Sequence, residues 1–528
     1  MKKLFGLIVL AAAPLAADST ALRMLQSGEP FGPMSLHLAG VDGRGEIIAV
    51  LDTGADVDSC AFAETDGSLP PVNTGTPTGG LEAGQVDHSR RKVIAYNFLF
   101  SCDQYPGVSG CDDPRDPRDW DNLGHGTIAA SLAAGNRAPF SATDEGDGMA
   151  PGAQLIIQDA GFLASSACQI PGLGCPPRDV RSILQQAHLQ GARIQSHQWG
   201  DRMGSFSELA RQIDEFAHEN PEAVIVFNSG NAGEAGERSV ISPGLAKNTI
   251  QVGGTRSVNI EDAVVWERSG RGPTDGGRIK PDLVVPSYVY GSTGDGDVTT
   301  GNCEGTFSAG TSWSAPLVAG AAAVIRQFYR EGRQESGEPS PSRGFEPSAA
   351  LVKATLVAST HRVPFVQRNS AWIESAPTPS GEQGFGFPVL GRVLPTAPSS
   401  ARLLITDDRE GLAPGGVFER RVEIRSGGTI RIALAWTDYP SADGSLVHDL
   451  DLELIGASGQ RFVGNAALTG GTPDRMNNVE KVEQGELSAG VWTIRVRAER
   501  VTGAQPFALV ISGDLEPEGA RRRLVRRR

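Results

Sequence analysis

Between residues 45 and 330 two hydrophobic patterns alternate along the chain. Short apolar runs rich in β-branched residues, EIIAVL (46–51), AQLIIQ (153–158), AVIVF (223–227) and TIQVGG (249–254), predict buried strands. Between them lie helical periodicities: TIAASLAAG (127–135), DVRSILQQAHLQG (179–191) and SFSELARQIDEFAHE (205–219). This alternation predicts an α/β domain, a parallel sheet flanked by helices, with ligand sites gathered outside the carboxyl ends of the strands. A polar loop (331–345) and a further helix, PSAALVKATLVAST (347–360), follow. From about residue 398 the period falls to two. TIRIALAWTD (429–438), HDLDLELIG (448–456), GVWTIRVRAE (490–499) and PFALVISG (506–513) alternate apolar with polar and are separated by turn residues. They predict an antiparallel β-sandwich or jelly roll.

The ends of the chain change the picture. Met1–Ala17 reads MKKLFGLIVLAAAPLAA, with two lysines, a short apolar run and small residues. That is the layout of a secretory signal, and the run is too short to span a bilayer comfortably. The organisation expected is therefore a signal at 1–17, a first domain at 18–395, a sandwich at 398–515 and a basic, disordered tail at 516–528. With no later run of 18 apolar residues, the mature chain is expected to have no membrane span, to be monomeric, and to lie outside the cell or in the periplasm. Net charge is −14, and −20 once the six arginines of RRRLVRRR (521–528) are set aside. An acidic body argues against nucleic acid as a partner. The six cysteines suggest disulfides in an exported chain, with Cys102–Cys111 and Cys168–Cys175 closing local loops and Cys60–Cys303 as a long-range staple. No CxxC supports the metal-binding rival.

Four polar residues stand where such a fold exposes functional groups. Asp52 ends the first strand in LDTGAD. His125 opens a helix in DNLGHGTIAASLAAG. Asn231 follows a strand in VFNSGNAGE. Ser312 opens an apolar helix in GTSWSAPLVAG. A serine hydroxyl is a poor nucleophile until a base takes its proton, and the base needs a carboxylate to set its tautomer and stabilise its charge. A helix N-terminus at Ser312 offers a backbone N–H to a developing oxyanion, and the Asn231 amide offers a second donor. Each residue alone is as readily a turn or cap residue. Their joint presence is what points to acyl transfer.

The order Asp, His, Asn, Ser and the words DTG, GHGT, GN and GTSxSAPxVAG resemble the subtilisin-like serine peptidases, the subtilases, from about Gly40 to Leu394. GFGFPVLGRVL (384–394) resembles that domain's closing segment. The resemblance implies Ser312 as nucleophile, His125 as general base, Asp52 as its partner and Asn231 as oxyanion donor. It implies a secreted endopeptidase acting on protein or peptide substrates without an organic cofactor. QSHQWGD (195–201) resembles the strand that pairs with substrate, with Trp199 and Gly200 at its core, and Gly253 and Gly254 would border the specificity pocket. An exopeptidase of the same fold and a catalytically silent binding protein on the same scaffold are the alternatives.

The chain departs from the family pattern at Trp313, where methionine is usual, and at Ser314, Leu317, Ile128, Ala129 and Gln198. About 35 residues separate the apparent signal from Asp52, and much of that span resembles the start of the catalytic domain, so the enzyme is expected to fold without the usual propeptide. The last domain resembles the β-sandwich of some secreted alkaline subtilases through LAWTD, HDLDLEL, NNVE and GVWTIRV. In HDLDLEL, Asp449, Asp451 and Glu453 share one face. With Asp438, Asn477, Asn478 and Glu480 they form a candidate Ca²⁺ site. The acidic loop CDDPRDPRDWD (111–121) is a second candidate. Asp42, Asp56, Asp58 and His88 are expected at turns or on the surface.

Overall fold

A computed structural model describes residues 19–517 except 75–82, 103–110, 122–123, 140–145, 162–178, 201, 257–258, 397–401 and 426. The apparent signal, the Cys168–Cys175 pair and nearly all of the basic tail lie outside the described residues.

Seven parallel strands form the spine of the first domain. In spatial order they are Val72–Thr74, Val93–Phe98, Gln154–Asp159, Ile47–Asp52, Ile194–His197, Val224–Asn228 and Ile250–Arg256. Four match the apolar runs expected to be strands. Leu283–Pro286 adds a further parallel partner to Ile250–Arg256, and the two-residue strand Val264–Val265 pairs with it antiparallel. The central strands are apolar on both faces because helices cover both sides of the sheet.

Two helices decide where the chemistry sits. His125–Ala134 and Thr311–Arg330 pack side by side against the same face. Their contact is lined with small residues. A Cβ at Gly320 would lie 2.6 Å from the Ala133 carbonyl oxygen, so the backbones approach as only glycine permits. Such packing places two helix N-termini, each carrying a candidate residue, at the same edge of the sheet. The Thr311–Arg330 helix is buried from Thr311 to Tyr329. At its far end the sealed Arg326 guanidinium pairs with Glu46 at 2.7 Å.

The helix Ser19–Ser27, which the hydrophobic pattern did not announce, buries Leu22, Met24 and Leu25 in the main core beside the Leu390–Arg392 turn. The Cys60–Cys303 and Cys102–Cys111 disulfides are formed. The first ties the segment after Asp52 to the hairpin that leads into Ser312.

Beyond residue 402 two antiparallel sheets face each other. One orders Arg402–Leu412, Gln505–Gly513, Gly428–Ala435 and Val479–Leu487. The other orders Arg461–Val463, Asp449–Gly456, Gly490–Arg500, Val417–Ile424 and Leu515–Pro517. The period-two pattern explains how the sandwich is built and how it attaches. Ile430, Ile432, Leu434, Leu509 and Ile511 point into the sandwich core. Ala433, Ala435, Ala508 and Val510 point the other way and merge with the core of the first domain, against the helix Ala349–Ala358. Small side chains on that face let a helix lie on the sheet.

Candidate functional site

Asp52 is the last residue of its strand and is almost fully buried. Its Oδ1 accepts from the Thr53 amide at 2.7 Å and lies 2.6 Å from His125 Nδ1. Gln198 completes the carboxylate: with its amide turned so that the oxygen meets Ser196 Oγ, the nitrogen donates to Asp52 Oδ2 at 3.0 Å and to the Leu51 carbonyl at 3.2 Å. Each described group bonded to this carboxylate donates, so the carboxylate accepts. The proton of His125 therefore sits on Nδ1, leaving Nε2 free to accept one.

The start of its helix holds His125 in place for this contact. The buried Asp121 caps that helix, with Oδ1 accepting from Gly124 N at 2.9 Å and Oδ2 from Thr127 N at 2.9 Å. Thr53 joins the two segments by donating Oγ1–H to Asp121 at 3.0 Å and accepting from Gly126 N at 2.9 Å. The DTG and GHG words also touch directly. A Cβ on Gly126 would fall 1.9 Å from the Gly54 carbonyl oxygen, so both glycines serve close approach. Burial acts to lower the His125 pKa, but the Asp52 charge and hydrogen bond, with Asp121 behind them, carry it above the ordinary imidazole value. The ring keeps about a third of its surface in solvent (32%).

Ser312 is the second residue of its helix and is buried to 7% exposure. Its neighbour Trp313 lays its ring against His125, with centroids 4.5 Å apart. Among the described residues the Ser312 hydroxyl has no hydrogen bond. In ligand-free sites such contacts are often loose and tighten when substrate binds. Asn231 is fixed by its oxygen, which accepts from Thr311 N and Thr311 Oγ1, each at 2.9 Å. Its amide nitrogen is thereby turned away from Thr311. Asn228, the nearby rival, lies on the strand and donates only weakly to Thr311 Oγ1 at 3.5 Å.

Asp52 and His125 thus meet directly, and Asn231 and Ser312 meet at one helix start beside them. Gly254 lies just beneath, where a Cβ would be 2.6 Å from Ser287 Cβ and 3.4 Å from Thr311 Cγ2, whereas a Cβ on Gly253 would face Ser269 Oγ at 2.6 Å and Val284 Cγ1 at 3.1 Å. Trp199 is a packing residue, buried with Phe227 in a core cluster and donating Nε1–H to His197 Nδ1 at 3.4 Å. Gly200 is exposed beside Ile241.

The expected cation ligands serve a different purpose. Asp438 Oδ2 is 2.6 Å from Lys247 Nζ, and its two oxygens also accept from Val447 N and His448 N. Arg475 Nη1 sits 2.9 Å from Asp449 and 2.7 Å from Asp451. Glu453 pairs with Arg461 and Arg495. Asn477 accepts from Ile279 N through Oδ1, and Asn478 donates to the Trp436 carbonyl. Glu480 accepts from Leu452 N, and burial holds its carboxyl well above the usual range. Among the described residues no group of three or more His, Cys, Asp or Glu side chains is arranged as metal ligands. The chain's own cations and amides take most of the oxygens of this set, and the two left buried without a partner among the described residues, Asp449 Oδ1 and Glu480 Oε1, are too few for the roughly six to eight oxygen ligands of Ca²⁺. The loop 111–121 contributes the Asp121 cap instead. Asp56, expected at a turn, is buried. Its Oδ2 accepts from Asp295 N and Asn302 Nδ2, and burial with the adjacent Asp58 pushes its carboxyl up to about 8. Asp121 and Gln198 are the residues that reading the sequence did not assign to the site.

A family model described as the subtilase family matches residues 43–386. The chain belongs to the subtilase family. It is 25% identical to the serine protease/ABC transporter B family protein tagA of Dictyostelium discoideum over 89% of this chain and 30% of that protein. It is 24% identical to the tagD protein of the same name and organism over 83% of this chain and 30% of that one. The chain thus spans about a third of the length of these relatives. The subtilisin-like protease SBT3.18 of Arabidopsis thaliana is 27% identical over 38% of this chain and 26% of its own length. Among solved structures, that of the patellamide maturation protease PatG aligns at a TM-score of 0.41 and 16% identity, over 67% of this chain and 92% of that chain. Among the described residues no helix is long and apolar enough to cross a membrane.

Proposed function

We propose that this subtilase is a secreted serine endopeptidase that hydrolyses peptide bonds through an acyl-enzyme on Ser312. The observation that carries the reading is the 2.6 Å contact between Asp52 Oδ1 and His125 Nδ1, beside a helix start that presents Ser312. His125 Nε2 takes the Ser312 hydroxyl proton as Oγ bonds to the scissile carbonyl carbon. The carbonyl π pair moves to oxygen, giving an oxyanion. When the pair returns, the C–N bond breaks and His125 gives its proton to the leaving amine. Water then repeats the sequence on the ester and frees the acid. Asp52 stabilises the imidazolium without becoming protonated. The Ser312 amide and Asn231 Nδ2 receive the oxyanion in each half.

Casein hydrolysis by the purified protein, with a fluorophosphonate probe and beside Ser312→Ala, tests this. The wild type should cleave internal bonds, be stopped by the probe and carry it on Ser312. The variant should keep its melting temperature and lose turnover by a factor on the order of 10⁵–10⁶. A folded wild type that neither cleaves nor labels would instead favour a binding protein on this scaffold. Release of terminal residues alone would make it an exopeptidase.

A further inference from the structure

The backbone N–H of Ser312, at the second position of its helix, has no partner within the helix. Asn231 Nδ2 faces the same place, because Oδ1 is held by Thr311. A third donor is close by. Among the described residues the buried Trp313 Nε1 has no hydrogen-bond partner, although leaving a buried N–H unpaired is costly. These three nitrogens surround one small space. For a methyl group grafted onto Gly310, the nearest atoms outside its flanking residues are Trp313 Nε1 at 3.6 Å, Asn231 Nδ2 at 3.8 Å and Ser312 N at 3.8 Å. Gly310 leaves that space open. Three N–H groups of different origin border it, and outside the residues flanking Gly310 these three nitrogens are the nearest atoms. Such a cradle suits a small anionic oxygen.

We infer that the Trp313 indole N–H is a third donor to the oxyanion of the acyl-transfer reaction. The inference rests on the serine-peptidase reading and deepens it. It accounts for the orphaned indole N–H: that donor stays unpaired in the resting site and is satisfied when the carbonyl oxygen becomes charged. A donor arranged in advance stabilises the transition state more than the ground state and is read in kcat. The face of the same ring rests on His125, so one side chain contributes both packing to the base and a donor to the oxyanion.

The test compares wild type with Trp313→Phe, which keeps an aromatic ring against His125 and deletes the N–H. The expected result is a fall in kcat on the order of 10²-fold with KM nearly unchanged. Affinity for a peptide aldehyde, whose adduct with Ser312 carries an oxyanion, should fall by a similar factor. Affinity for the matching peptide alcohol, which forms no adduct, should stay constant. The pH profile of kcat/KM should keep its midpoint, since His125 retains its neighbours. Replacing Trp313 by benzothienylalanine keeps the shape of indole without the N–H, and should reproduce the loss if the phenylalanine variant folds poorly. Full kcat and full aldehyde affinity in either folded variant would overturn the inference, as would a loss seen only as a shifted pH profile. If the wild type does not label at Ser312, the peptidase reading itself falls. If it labels and Trp313→Phe is silent, only the third donor falls.

Discussion

Two buried carboxylates in this molecule each meet a base from far along the chain, and they are used differently. Asp52 holds His125, whose ring keeps about a third of its surface in solvent. Asp438, in the sandwich, holds Lys247 of the first domain, and neither side chain has any exposure. The Lys247 ammonium is saturated by Asp438 Oδ2 and by the Tyr439 and Ser445 carbonyls at 2.6, 2.6 and 2.8 Å, all from the sandwich. An imidazole with one side open can trade a proton with a neighbour near neutral pH. A sealed ammonium with all three N–H groups used offers no open side to a reaction partner, and it fastens two domains instead. The same pairing of charge yields chemistry or attachment according to solvent access and to which base is supplied.

The largest effect expected on this contrast is on the open pair. Asp52→Asn keeps the shape but removes the charge and presents an amide to His125, which favours the wrong tautomer. Steady-state kinetics on a peptide substrate should show kcat lowered on the order of 10⁴-fold with little change in melting temperature. Equal activity would mean that Asp52 is a structural strand end and would remove the contrast.

The sealed pair should respond in stability instead. Lys247→Met leaves Asp438 buried and unpaired, which should cost about 3–5 kcal/mol in denaturant unfolding. Lys247→Met with Asp438→Leu should recover only the part of that loss due to the unpaired charge, since it also removes the acceptor for the Val447 and His448 amides. Below its melting transition the single variant should retain kcat, because the ion pair is remote from Ser312. A double variant no more stable than Lys247→Met would show that hydrogen bonds at this junction, rather than charge pairing, hold the domains together.

The smallest effect is a shift of a pH profile. The raised pKa of His125 means that its protonated form is favoured in the folded protein. The base must be neutral to act, so kcat/KM should fall as pH drops, with a midpoint above the ordinary imidazole value of about 6.5. The linked stability has the opposite sign. It is present below the unfolded-state pKa and is lost as pH rises through the folded one. A midpoint at or below the ordinary value would show that Asp52 does not govern the base.

Much of this was legible in the residues. The runs ending at Leu51 and Phe227 are strands because continuous Ile and Val with no polar alternation must be buried on both faces. The alternation around Ile432 and Leu434 showed a sandwich face. What it did not show was that Ala433 and Ala435 seat the sandwich on a helix, since small residues alone carry no address. The pairing of the candidate cation ligands was hidden for a related reason. Carboxylates at Asp449 and Asp451 were visible, but not the guanidinium of Arg475, which reaches them from another loop. Gln198 was visible only as a departure from a pattern, because its contact with Asp52 crosses two neighbouring strands.

The sequence by itself determined the principal strands and helices, their order and the family, because hydrophobic period and close-approach glycines act locally and leave local marks. Only the tertiary structure decided which polar groups meet. The packing of two helices through Gly320 sets His125 beside Trp313. A strand end brings Gln198 under Asp52, and the docked sandwich hands Asp438 to Lys247. Those contacts join residues tens to hundreds of positions apart. Their energies depend on burial and orientation, which exist only once the chain has closed on itself.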